Sequence, residues 1–235
     1  KTEKFPEFDP SVRNPRLEFI KQLISQPPAS KNKHGKFRQL YSNANYTMAS
    51  AMLETVTGRS YEDLVTKTLT DDLNMKVHIG WPNSFGADQP WGHHIGNDKI
   101  EALPPGHEYR LPCLIAPAGD LSLTPRDYAI YTQLHLRGLR GENNYISSKG
   151  YQQIHFGHTG FSLGIVNGTL GGKRYSGFDG SAGTFFCRSI IVPESDFAFS
   201  IITNAGSGTG TMKSVDWLTM QIVKKQFNWW WKFWL

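Results

Sequence analysis

Apolar residues recur at helical spacing through the first two thirds of the chain and gather into strand-like runs in the last third. Leu17, Ile20, Leu23 and Ile24 fall at the intervals of one helix face, and Pro27-Pro28 ends that helix. From Asn45 to about Val56, the positions Met48, Met52, Leu53 and Val56 trace a second face, which Gly58 closes. Ser60 with Asp63 three residues on resembles a capping box, with Asp for the usual Glu, and opens a helix whose apolar side is Leu64, Val65, Leu69 and Leu73. Thr124-Pro125 starts another, through Tyr128, Ile130, Tyr131, Leu134 and Leu136, and the stretch 138–141 stops it. A short helix follows Ser147 and runs to Ile154.

Strands then take over. Residues 161–166 form the first, with Asn167-Gly168 as the turn after it. Residues 184–192 and 197–203 form the next two, and a closing helix at 212–227 carries Val215, Leu218, Ile222 and Val223 on one side. Helices, then an antiparallel meander, then a helix make an α+β pattern. It is expected as one domain over 1–235, with a helical lobe at about 11–155, a sheet and closing helix at about 158–227, and a tail at 228–235. Residues 76–118 are rich in Gly, Pro, His and Trp without a steady period; they are expected to be ordered, because Trp81 and Trp91 need burial.

Composition narrows the function. With 39% hydrophobic and 19% charged residues the chain is globular rather than disordered. The net charge of +5 is spread along the sequence with no dense basic run, which argues against nucleic-acid binding. Two cysteines, Cys113 and Cys187, make no disulfide framework; Cys187, in the run Phe185-Phe186-Cys187, reads as a small buried hydrophobe. The sequons at Asn45 and Asn167 read as chance matches. No apolar stretch reaches membrane-spanning length, and Lys1-Thr2-Glu3-Lys4 leads into Phe5-Pro6 without a signal-peptide pattern, like the middle of a longer sequence.

Metal and phosphate chemistry find no support. His93-His94 and His155-x-x-His158 are the histidine clusters; neither has a thiol close by, and Gly96 interrupts any shared helix face between His94 and Asp98. They read as surface or packing histidines, so neither a metal nor another cofactor is expected. The glycine-rich stretch 206–210 lacks the Gly-Lys-Ser/Thr ending of a phosphate loop.

A set of short motifs says more. Tyr41-Ser42-Asn43 precedes a helix that ends in Thr57-Gly58-Arg59-Ser60-Tyr61. Asn74-Met75, Pro117-Ala118-Gly119, Leu123-Thr124-Pro125-Arg126-Asp127 and the strand running to Asn204 follow in order. Together, from about residue 5 to about 225, they resemble the penicillin-recognising serine hydrolases, the serine β-lactamases and penicillin-binding proteins. The resemblance implies a helical lobe plus an antiparallel sheet with a C-terminal helix, here without the family's N-terminal strands and nucleophile helix.

That family's chemistry needs three elements. A Ser-x-x-Lys sets a nucleophilic hydroxyl one helical turn from a basic Lys. A Tyr-x-Asn supplies a phenol for proton transfer and a positioning amide. A Lys/His-x-Gly strand lines the pocket, and a backbone N–H after it serves the oxyanion. The second element is present, which implies Tyr41 for proton transfer and Asn43 for positioning. The third falls at Phe178-Asp179-Gly180-Ser181, where Gly180 and the Ser181 N–H survive but Phe178 replaces a cation or imidazole and donates no hydrogen bond. His158-Thr159-Gly160 reads like the family's variant but lies one strand too early.

The first element has no match on a helix. Ser30-Lys31-Asn32-Lys33 sits in a polar loop after Pro27-Pro28, and no Thr-x-x-Lys occurs. Gly160-Phe161-Ser162-Leu163-Gly164 has the form of a nucleophile elbow, but a strand-like run follows Ser162 and no His comes later. The chain alone is therefore expected not to hydrolyse a substrate, and to serve as a silent subunit or scaffold; the alternative is one part of a serine hydrolase whose nucleophile lies elsewhere.

The tail adds a partner. Trp229, Trp230, Trp231, Phe233 and Trp234 are expected to anchor in another protein chain, or to meet a membrane interface beside Lys224, Lys225 and Lys232. Another chain covering the missing N-terminal part is expected on the same grounds.

Overall fold

The computed structural model describes residues 14–28, 41–96 and 99–227. Ser30 to Lys33 and the aromatic tail, Trp229 to Trp234, lie outside the described residues. The chain divides into two compact units, one from Lys1–Trp81 with Glu108–Ser122 and one from Pro82–His107 with Leu123–Leu235.

In the first unit, Asn14 caps helix α1 (Pro15–Ile24) by accepting the Leu17 N–H at 3.1 Å. Helix α2 (Ala44–Thr57) ends on Gly58, whose φ of 67° suits a residue without Cβ. Ser60 then accepts the Asp63 N–H at 3.1 Å and starts α3 (Tyr61–Val65), which runs on into a π-helical stretch, Thr66–Asp72. Phe19, Ile20, Ala44, Ala51 and Leu114 form the core, with Met48 against it. Thr47 ties α2 to the 3-10 turn Cys113–Ala118 by donating its hydroxyl to the Leu114 carbonyl at 2.7 Å.

Both early helices turn a different side inward than their apolar spacing suggests. In α1 the buried residues are Arg16, Phe19 and Ile20, and Ile24 is exposed. In α2 they are the small residues Ala44, Thr47, Ser50 and Ala51, while Met52, Leu53 and Val56 face solvent. Small side chains let α1 and the 113–118 turn come close, which leaves the bulky row outside. The unit also holds the short strand pair β1 (Val77–Ile79) and β4 (Leu121–Leu123). Trp81 is buried as expected.

The second unit is built on a four-stranded antiparallel meander: β5 (Val166–Leu170), β6 (Lys173–Ser181), β7 (Phe186–Val192) and β8 (Phe197–Thr203), in that spatial order. Among the described residues β8 ends the sheet. Alternation along β7 explains the layers. Ile191 packs with Leu136, Leu139 and Tyr151 of helices α4 (Pro125–Leu139) and α5 (Ser148–Phe156). Phe186, on the other side, packs with Ile201 and with Val215 of α6 (Thr209–Phe227). Leu218, expected on the inner side of α6, is exposed.

The strand boundaries correct the sequence reading. Residues 161–166 form a tight turn closed by one Phe161–Val166 bridge, with Gly164 at a φ of 76°. The hairpin turn is Gly171-Gly172, with φ values of 59° and 78°, rather than Asn167-Gly168; two residues with positive φ match a type I′ turn. Strand 173–181 was not legible, because two glycines and its charged residues break the alternation; β5 and β7 on either side hold it. Gly92–Gly96 (β2) and Lys99–Leu103 (β3) form a second, separate hairpin. Trp91, just before it, is 45% exposed rather than buried.

At Gly138 helix α4 lies close against Tyr151 of α5. A Cβ there would lie 2.0 Å from the ring of Tyr151, which is 3% exposed and donates its hydroxyl to Asn144. Overpacking of this kind costs about 1–3 kcal/mol and outweighs the gain of up to about 1 kcal/mol from Ala in a helix. Gly138→Ala is expected to lower the urea midpoint accordingly; an unchanged midpoint would show that Tyr151 moves aside freely.

Candidate functional site

In the first unit Tyr41 and Asn43 stand together just before α2. The Tyr41 hydroxyl donates to Asn43 Oδ1 at 3.1 Å, and Tyr41 is 71% exposed. Asn43 makes no side-chain cap, and Ser42 accepts the Ala44 N–H at 3.3 Å instead. The helix start thus holds a solvent-exposed phenol beside a half-buried amide. Burial, and then the neighbouring Tyr41, raise the pKa of the Tyr46 phenol.

The same unit holds a cleft of about 480 Å³ lined by Asn14, Arg16, Glu54, Arg59, Glu62 and Cys113, among others; neither Tyr41 nor Asn43 borders it. Arg16 spans it, donating to Glu54 at 2.7 Å, to Glu62, and to the Cys113 carbonyl at 3.2 Å. Two cations and two carboxylates line the cleft, and Arg16 is engaged by both carboxylates, so it reads as a structural ion network.

In the second unit Phe178, Asp179, Gly180 and Ser181 end strand β6, opposite Ser189, Arg188, Cys187 and Phe186 of β7. Phe178 packs edge-on against Tyr128, with ring centroids 6.3 Å apart. Burial, followed by the neighbouring Cys187, pushes the Tyr128 phenol far above its ordinary value, and burial likewise raises the Cys187 thiol. Asp179 receives both prongs of Arg188, at 2.8 and 2.7 Å, and Arg188 also reaches Asp216 at 2.6 Å. The bonds that Arg188 donates to Asp179 raise the Arg188 pKa. A Cβ at Gly180 would meet open space. Ser181 donates its hydroxyl to the Phe185 carbonyl at 2.8 Å and accepts the Ser207 N–H at 3.1 Å, fastening the strand end to the entry of α6. Tyr41 and Asn43 belong to the first unit, and residues 178–181 to the second.

The other sequence candidates occupy structural posts. Ser162 is buried and donates to the Gln153 carbonyl at 3.1 Å. His93 sits 2.8 Å from the Asn204 carbonyl, and His158 lies exposed after α5. Among the described residues no group of three or more His, Cys, Asp or Glu side chains is arranged to hold a metal.

Two networks escaped the sequence reading. In one, His135 Nδ1 lies 2.7 Å from His155 Nε2, and His155 Nδ1 lies 2.8 Å from Ser176 Oγ, all three residues buried. The other is Arg16 with Glu54 and Glu62. Both join residues far apart in sequence, and only His155, within one turn of the buried Tyr151, carried a local hint.

The chain matches the Beta-lactamase family over residues 3–224. No curated protein matches it. Its fold is similar to the D-amino acid amidase of Ochrobactrum anthropi SV3, with a TM-score of 0.68 and 19% identity over 94% of this chain and 67% of that one. It is also similar to the penicillin-binding protein of Bacillus halodurans, at 0.64 and 15% over 88% and 64%. The octameric penicillin-binding protein homologue of Pyrococcus abyssi gives 0.59 and 20% over 74% and 40%. The chain thus spans 40% of the length of one of these proteins and 67% of another.

Proposed function

The chain belongs to the Beta-lactamase family, and from that premise we propose that these residues form a catalytically silent, β-lactamase-like subunit or scaffold within a larger assembly. The observation that carries this reading is the absence of a usable nucleophile on the helices described. The helical serines Ser50, Ser148 and Ser214 are followed three residues later by Leu53, Tyr151 and Trp217, none of which can accept a proton as a Lys can. Phe178, packed on Tyr128 where the family has a cation or imidazole, supports the same reading. The tail residues Trp229, Trp230, Trp231, Phe233 and Trp234 suit anchors in a partner protein.

A second reading has one observation in its favour. The exposed Tyr41 donates its hydroxyl to Asn43 at the start of α2, so a phenol and an amide stand together there. In that reading the nucleophile lies outside residues 1–235, Tyr41 moves a proton, Asn43 positions the substrate and the Ser181 N–H serves the oxyanion. Hydrolysis of ester and amide substrates by the natural assembly, with and without Tyr41→Phe, separates the two. A silent subunit leaves turnover absent, or unchanged by the variant. A fall in kcat of about 100-fold or more, the scale of lost general acid–base catalysis, would establish the hydrolase.

A further inference from the structure

Asn167-Gly168 is the one Asn-Gly pair in the sequence. Such a pair is chemically labile, because a following residue without Cβ leaves its backbone nitrogen free to reach the asparagine amide. The Gly168 nitrogen attacks Cγ of Asn167 while its proton passes to water. The Cγ–Nδ2 bond then breaks, and ammonia leaves behind a cyclic imide. Water opens the imide at either carbonyl and gives an aspartyl or an isoaspartyl linkage, with no other reactant needed.

The fold holds Asn167 away from that reaction. Its Nδ2 donates to the His155 and His158 carbonyls, each at 2.8 Å, and its Oδ1 accepts the Gly160 N–H at 2.9 Å. Its own N–H donates to the Gly160 carbonyl at 3.0 Å. These bonds fasten the turn 157–166 and satisfy a carbonyl at the C-terminal end of α5. Because the Asn167 N–H points to the turn, alternation along an antiparallel ladder directs the Gly168 N–H toward β6, where Gly168 faces Tyr175. Yet β5 is an end strand of the sheet among the described residues, and Val166 and Thr169 are exposed, so it is among the first segments to open.

We propose that Asn167 is a deamidation site gated by the fold: closed β5 blocks the reaction, opening of β5 permits it, and the product keeps the turn 157–166 from closing again. A carboxylate in place of the amide has no proton for the His155 and His158 carbonyls. It also sets negative charge beside the C-terminus of α5, the negative end of the helix dipole. An isoaspartyl linkage adds a backbone carbon and breaks the register with β6. The turn thereby records, irreversibly, how long β5 has stood open.

The test incubates the natural protein in buffer and in urea and follows the residue 167 peptide by mass spectrometry. Four hydrogen bonds of ordinary net strength are expected to make conversion in buffer at least about thirtyfold slower than in urea. Equal rates would overturn the gate, and no conversion in urea would overturn the site. Both aspartyl and isoaspartyl products are expected, since both come from the imide; aspartyl alone would overturn the route. The converted fraction, separated from the parent by charge, is then exposed to a nonspecific protease. Cleavage within 157–166 is expected to be about tenfold faster or more than in the parent, and an equal rate would show that the turn closes regardless.

Discussion

Replacing Arg16 with Met is expected to cost the first unit about 2–4 kcal/mol. Arg16 is 7% exposed and draws together α1, α2 through Glu54, α3 through Glu62, and the Cys113 carbonyl. Breaking a buried ion pair by removing one partner costs about 3–5 kcal/mol, because the other charge stays buried and unpaired. Glu54, whose side chain is 10% exposed, is left in that position; Glu62, at 42%, regains water, which discounts the lower end of the range. Burial pushes the Glu62 carboxyl up, but the bonds and charge of Arg16 outweigh it and hold it below its ordinary value. That stabilisation is present above the ordinary carboxylate range and is lost as pH falls through the folded value, so variant and parent should converge in acid. Urea denaturation at pH 7 reads the difference, and a loss below about 1 kcal/mol would show that the network contributes little.

The second large effect concerns acid. Burial pulls His135 down to about 4, and burial together with the charge of His135 pulls His155 down to about 3. Tyr131 and Tyr151 crowd His135 with ring centroids at 4.4 and 5.1 Å, and Ser176 faces His155; among the described residues no carboxylate acts on either ring to offset a proton. Both rings stay neutral in the folded state while an unfolded histidine takes up a proton near pH 6.5. The unfolded state therefore binds more protons below that value, and stability falls as pH falls. Between pH 7 and pH 5 the two histidines together are expected to remove about 4 kcal/mol, about 2 each. That is a large share of a typical total of about 5–15 kcal/mol. His155→Asn, with an amide able to reach Ser176, should start less stable at pH 7 and lose about half as much on acidification. A parent whose stability is flat from pH 7 to pH 5 would mean that the rings take up protons without leaving their places.

Local chemistry was legible where its cause was local. Ser60, Thr124 and Ser147 each cap a helix in the way their side chains allow, accepting the N–H three residues on, all at 3.1 Å. The order of the motifs from Tyr41-Ser42-Asn43 to the strand before Asn204 gave the family. What the sequence misplaced depended on neighbours. In α2 the apolar period is real, but small residues face the interior; periodicity says that a face is apolar, not that it is buried, so it places the exposed row of Met52, Leu53 and Val56 in the core. Strand 173–181 lacks a clean alternation and is held by pairing on both edges. The buried histidine pair and the Arg16 network join segments 20 to 46 residues apart, beyond the reach of any local pattern.

The most direct measurement is the intact mass of the purified 235-residue polypeptide after incubation with a fluorophosphonate and, separately, with a penicillin. An unchanged mass in both is the expected result, since no serine on the described helices has a Lys one turn away to make it nucleophilic. A stoichiometric adduct mapped to any serine within residues 1–235 would contradict it, and would make that serine the catalytic centre of an active hydrolase.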